Sequence, residues 1–200
     1  MNFGRTLVIA PHADDEVIWC GGTIALIGGV DIVVVAGSGQ ERTDDAVKAA
    51  EILGANDIWF LFENSDMMLD SIQVKDIVSK LDWFIARCYD TIIYPYRGHS
   101  HQDHRITEVA CTAALRAGVQ NRPTLALGYG GMKENVGLLY VDISDTINVK
   151  LEAMKCYETE VMTDPTHPRS LEFIRGKAQA YGLEAECKYA EAFNVLYWIV

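Results

Sequence analysis

Thr6-Leu7-Val8-Ile9-Ala10-Pro11-His12-Ala13-Asp14-Asp15-Glu16 is the stretch from which the fold is read. It opens on an apolar run of strand length and closes on one imidazole and three carboxylates, and an apolar, helix-like segment begins at Val17. A buried strand thus hands over to a helix at a point loaded with ionisable groups. In open α/β sheets that hand-over is where ligands bind. Anionic groups gathered in a partly buried crevice are costly unless a cation compensates them, and a divalent metal is the simplest one. A second cluster, His99-Ser100-His101-Gln102-Asp103-His104, offers further imidazoles to the same ion.

The strand-then-helix rhythm continues outward from this stretch. Strands are expected at Thr6–Ala10, Asp31–Ala36, Asp57–Phe62, Thr91–Tyr94 and Thr124–Leu127, several of them apolar at consecutive positions, as suits strands covered on both faces. Helices are expected between them, at Glu16–Leu26, Thr43–Leu53, Ser71–Cys88 and Asp103–Ala117, with Thr43-Asp44-Asp45 as a helix start and Gly54 and Gly118 as C-caps. The last third departs from strict alternation. A strand at Gly137–Ile143, helices at Asp145–Tyr157 and Ser170–Tyr181, and a closing strand at Phe193–Ile199 are separated by a Pro-rich loop at 163–168. The expected architecture is α/β: a Rossmann-like three-layer sandwich with a mainly parallel sheet and additional C-terminal strands, in one domain spanning residues 1–200.

Composition narrows the function. The 200 residues are half hydrophobic, which fits a folded core. A formal net charge of −11 disfavours broad contact with nucleic acid or anionic membrane. No apolar run nears the roughly 20 residues needed to span a bilayer. Five scattered cysteines, Cys20, Cys88, Cys111, Cys156 and Cys187, form no CxxC pair. They read as reduced thiols in a cytoplasmic protein rather than a thiolate metal site. No G-x-S-x-G elbow is present, which disfavours a serine hydrolase.

Hydrolytic zinc takes three protein ligands and leaves one position open. His12 and Asp15, three apart on a tight turn, can share one ion, and His104 is the third candidate ligand. Ferrous iron also suits such a set. Asp14, beside Asp15, is placed to accept a proton from water, and a protonated His101 to stabilise an oxyanion, with Asp103 holding His101 in orientation and keeping it cationic. Each cluster has a plainer reading: Asp14, Asp15 and Glu16 as acids at a helix N-terminus, and the histidines as a polar loop capped by Asp103, with His99 a surface residue. The coincidence of both clusters behind strands favours the metal site.

These residues resemble the LmbE-like/PIG-L family of metal-dependent N-deacetylases. The likeness lies in Pro11–Glu16 with Gly21-Gly22-Thr23-Ile24-Ala25, in His101-Gln102-Asp103-His104, and more weakly in Arg42, Asp45, Ala49-Ala50 and Leu53-Gly54. Arg175-Gly176 and Ala190-Glu191-Ala192-Phe193 extend it towards the C-terminus. The resemblance implies His12, Asp15 and His104 as zinc ligands, Asp14 as general base, and His101 as oxyanion stabiliser and proton donor. It places Arg42 against a substrate hydroxyl or phosphate, the alternative being a helix-flanking surface charge, and Asp66 against substrate.

The chain also departs from the family pattern. Ala13 stands where proline is commoner. Trp19 replaces a small residue and is expected in the core rather than narrowing the pocket. The short Gly37–Glu41 segment implies an open rim or one completed by another subunit of a homo-oligomer. Tyr129, in the glycine-rich turn Gly128-Tyr129-Gly130-Gly131, is a candidate cleft residue. The implied reaction removes an N-acyl group, expected to be acetyl, from a small-molecule amino sugar or amino-sugar glycoside. The alternatives are a metal amidase for a non-sugar amide, such as a thiol conjugate or modified nucleoside, and a non-catalytic carbohydrate-binding relative.

Overall fold

The computed structural model describes residues 2–37, 39–62, 68–130 and 138–200. Strand β1 (Thr6–Ala10) is fully buried and runs parallel to β2 (Asp31–Val34) on one side and β4 (Thr91–Pro95) on the other. Beyond them lie β3 (Asp57–Phe60), paired with β2, and β5 (Leu125–Tyr129), paired with β4, both also parallel. Two antiparallel strands complete the sheet, β7 (Ala190–Trp198) against β5 and β6 (Leu138–Asp142) against β7, giving the order β3-β2-β1-β4-β5-β7-β6.

Helices cover both faces. Packing through Val8, Ile93, Leu127 and Phe193 involves α1 (Asp15–Ile27), α2 (Gly39–Ile52), α5 (Ile147–Met154) and α6 (Leu171–Glu184). The opposite face, through Leu7, Ile9, Ile92 and Ala126, carries α3 (Val74–Ile85) and α4 (Gln102–Ala114). This is the expected three-layer sandwich. The strand order reverses between β1 and β4, because successive units step one way from β1 and the other way from β4. That switch point opens a crevice at the carboxyl ends of these two strands, and His12 and His99–His104 follow those ends.

Four sequence expectations shift. Helix α2 begins at Gly39, not Thr43, so Thr43 caps nothing: its hydroxyl donates to the Gly39 carbonyl one turn back (2.9 Å), and Arg42 lies inside the helix. Helix α4 ends at Ala114, so Gly118 sits in the following turn rather than as its C-cap. Helix α3 is shorter than expected, because a 3-10 turn at Leu69–Ser71 precedes it. Strand β7 starts three residues early and carries the buried Glu191. That carboxylate accepts from the backbone N–H groups of Gly22 (2.9 Å) and Thr23 (2.8 Å) and pairs with buried Lys150. Gly22 also lets α1 pack closely on Ile143, since a Cβ there would lie 2.7 Å from that side chain.

Candidate metal and catalytic centre

Side chains from the two clusters meet in one cleft of about 500 Å³ at the switch point, among them His12, Asp14 and Asp15 after β1, and His101 and His104 at the start of α4. Oδ2 of Asp15 lies 3.3 Å from Nδ1 of His12 and 3.1 Å from Nε2 of His104. It also accepts the backbone N–H of His12 (3.1 Å), while Oδ1 accepts the indole N–H of Trp19 (3.2 Å). His12, His101 and His104 each offer a ring nitrogen within 4.8 Å of the others. The far nitrogen of His12, Nε2, lies 2.9 Å from Oδ2 of Asp103. A carboxylate on the outer nitrogen of an imidazole is the usual support of a metal-bound histidine.

This donor set fits a divalent cation. Burial alone would lower the His12 pKa, but the carboxylates of Asp15 and Asp103 outweigh it and raise it to about 9. Burial would raise Asp15, yet His104 and His12 hold it well below the usual carboxylate range. Without an ion, then, protons supply the positive charge that the carboxylates demand. His104 is buried and its Nδ1 has no hydrogen-bond partner among the described residues; its ring stacks on His99, at 3.9 Å between centroids. His99 is therefore half-buried packing for a candidate ligand, not a bare surface residue. Burial, with His104 beside it, brings its pKa down to about 4.

Asp14 has a backbone φ of 122°, a conformation that a non-glycine residue adopts only under constraint. Its buried Oδ2 receives two guanidinium groups, from Arg42 (3.0 Å) and Arg169 (3.1 Å). Burial and then Asp15 push its pKa up to about 8 against the pull of Arg169 and Arg42. Both cation contacts fall on Oδ2, which leaves Oδ1 for a proton from the cleft. Its backbone N–H donates to Glu16 (3.0 Å), whose other oxygen accepts from the Tyr157 hydroxyl. Burial pushes Glu16 up to about 7.

Three expectations need correction. Asp103 does not hold His101: its carboxylate serves His12 and the backbone N–H of Leu69 (3.1 Å), and only its own N–H reaches Nδ1 of His101 (3.2 Å), as an N-cap contact. With Nδ1 accepting, and with burial and then His12 lowering its pKa, His101 rests as a neutral imidazole that can donate through Nε2. Tyr129 is not a cleft wall. It is fully buried, its hydroxyl donates to the Ile9 carbonyl (2.9 Å), and its ring lies behind Trp19 at 6.0 Å. Trp19 in turn is a half-buried cleft residue rather than core, with the Lys177 ammonium 3.9 Å over its ring.

Arg42 is no loose surface charge, since besides Asp14 it donates to the Ala13 carbonyl (2.8 Å). Asp66 lies outside the described residues. Sequence reading missed Arg169 and its partner Glu160, which also reaches Arg42. The one signal available was an arginine directly after the Pro-rich loop.

The chain resembles known proteins along most of its length. The profile of the PIG-L family, described as GlcNAc-PI de-N-acetylase, matches residues 7–115. The diacetylchitobiose deacetylase of Thermococcus kodakarensis is 30% identical, over 95% of this chain and 82% of that protein. Among solved structures, the N,N'-diacetylchitobiose deacetylase of Pyrococcus horikoshii aligns with a TM-score of 0.76 at 21% identity, covering 96% of this chain and 84% of its own. The 4-carboxy-2-hydroxymuconate hydratase of Pseudomonas putida aligns at 0.75 and 19%, covering 98% of each. The class defined by fold and kinship is an amidohydrolase of the deacetylase type. The chain belongs to the PIG-L, or LmbE-like, family.

Proposed function

We propose that this protein is a zinc-dependent hydrolase that removes an N-acetyl group from an amino sugar or amino-sugar glycoside, in the cytoplasm. The observation that carries the reading is the pairing of Asp14 with its neighbour Asp15: one carboxylate faces two imidazoles, the next is held by two guanidinium groups, and both line one cleft. Because a hydratase shares the fold, the reaction is argued from these side chains and not from the architecture. The sugar preference rests on kinship with the chitobiose deacetylase.

His12, Asp15 and His104 would hold the ion, which supplies Lewis acidity toward water and an amide carbonyl. Asp14 takes the proton of the attacking water on Oδ1 while Arg42 and Arg169 fix its other oxygen. His101, presenting Nε2–H from the start of α4, donates to the oxygen that gains charge as the carbonyl carbon becomes tetrahedral. Asp14 then returns its proton to the departing amine. This assigns proton transfer to Asp14 and leaves His101 a neutral donor.

The test uses zinc-loaded protein, N-acetylglucosamine and its β-1,4 dimer, and detection of free amine. Asp14→Asn should keep its zinc and lose turnover by about 10²–10⁴-fold. His104→Ala should lose zinc in a metal-content measurement. Full activity in the first variant, or undiminished zinc in the second, overturns the assignment.

A further inference from the structure

Helix α4 borders two cavities. Its first turn delivers His104 to the metal cleft; one and two turns further on, Glu108 and Thr112 line a separate cavity of about 410 Å³ against β4 and β7. The room has a cause in the sequence. Ala126 is the β5 residue packed on this face, and a Cβ on Gly128 would come within 2.9 Å of the Tyr96 ring, so bulkier residues at these places would close the gap. In β7 the register against β5 skips Leu196, and this bulge sets Leu196 and Tyr197 on the same face. Bulges recur where a strand must re-aim a side chain beside a site.

Asn194 is the anomaly. It lines this cavity and is 1% exposed, yet neither its Oδ1 nor its Nδ2 has a hydrogen-bond partner among the described residues. A native protein rarely leaves a buried amide unpaired without a use for it. Nε of Arg122 is likewise buried and unpaired, with its guanidinium 4.0 Å over the Tyr197 ring. We propose that this cavity is a second binding site, distinct from the metal cleft, for an acidic monosaccharide. Its size suits one small ring-shaped ligand. Tyr94, Tyr96 and Tyr197 line the cavity, and one face of the Tyr197 ring already carries the Arg122 guanidinium. The Asn194 amide offers both donors and an acceptor to neighbouring hydroxyls, and Arg122, with Arg97 on the same wall, takes the anionic group. Glu108, held by the Thr112 hydroxyl (3.0 Å), disfavours a polyanion.

The experiment titrates the whole zinc-loaded protein with glucuronate, glucose and benzoate, read by calorimetry and by saturation-transfer NMR. Glucuronate should bind at least about tenfold more tightly than glucose, which lacks the charge, or benzoate, which lacks the hydroxyls. Asn194→Leu should weaken glucuronate at least about tenfold, keep deacetylation unchanged, and raise Tm by roughly 2–4 °C, because an apolar side chain relieves the unpaired amide. Arg122→Gln should bring glucuronate down to the level of glucose. The proposal is overturned by glucuronate showing no advantage over the two controls, or by undiminished glucuronate binding in both variants. A fall in Tm for Asn194→Leu with Arg122→Gln binding normally also overturns it, since Asn194 is then structural. So does sedimentation showing the face covered by a second copy of the chain.

Discussion

Replacing Arg169 with glutamine should move the pH profile of the reaction rather than scale it. Nε of Arg169 lies 3.1 Å from Oδ2 of Asp14. Unit charges about 4 Å apart interact by about 4 kcal/mol at an effective dielectric constant of about 20. The Arg169 side chain is 34% exposed, so solvent screens much of this, leaving roughly 1–2 kcal/mol, which corresponds to about one pH unit. The sign follows from the role of the group. Burial and Asp15 raise Asp14 while Arg169 and Arg42 lower it, and a base acts in its ionised form, so activity is present above its pKa and lost as pH falls through it. Removing a cation raises the pKa further. The acid limb of kcat/KM should therefore shift upward by about one unit, with a roughly tenfold loss below the limb and none on the alkaline plateau. The assay is free-amine release from N-acetylglucosamine across roughly pH 5 to 10, with zinc content measured in parallel. Arg169→Lys keeps the charge and should hold the limb in place. An equal loss at every pH, or an unmoved limb, refutes the reasoning.

Metal uptake should release at least one proton per chain below pH 9, because His12, raised to about 9 between Asp15 and Asp103, is protonated there without an ion; affinity should fall at least about tenfold per pH unit in that range. Calorimetry in buffers of different ionisation enthalpy checks this, and uptake without proton release would contradict it. Glu191→Leu should destabilise the fold by about 3–5 kcal/mol, the usual cost of stranding one member of a buried ion pair, and by more than Lys150→Met does. Glu191 also satisfies two backbone N–H groups of α1, whereas Lys150 leaves behind only the Ile18 carbonyl and an acid that keeps those donors. Urea denaturation of both variants decides; equal losses would mean the backbone contacts contribute nothing.

What the sequence discloses here follows the range of the interaction involved. Strands β1 and β4 are legible because burial on both faces demands continuous apolar residues, and the two histidine-bearing clusters are legible because they directly follow those strands. Asp103 is misread for a local reason. Two residues from His101 it looks like that ring's partner, but at the second position of a helix its N–H turns back to the cap while its carboxylate is free to cross to His12. Tyr129 is misread because glycines on either side suggest an exposed turn, whereas β5 is an interior strand with both faces covered. The contacts of Glu191 and Arg169 are beyond sequence reading. Their partners, Gly22, Thr23 and Lys150 for one and Asp14 and Glu160 for the other, come from distant elements that only the folded chain brings together.

The strained turn at Asp14 ties these observations together. Two adjacent carboxylates that both faced the imidazoles would repel each other in a buried crevice, and both would be claimed by one ion. Rotating Asp14 to a φ of 122° sends its carboxylate to Arg42 and Arg169 while Asp15 stays on His12 and His104. Such a conformation costs on the order of 1–3 kcal/mol. It persists because the turn is held at both ends: Arg42 grips the Ala13 carbonyl and Glu16 grips the Asp14 N–H. The strain thus separates an ion-holding acid from a proton-moving one within two consecutive residues, and Arg42, on a helix that starts earlier than its sequence suggests, keeps them apart.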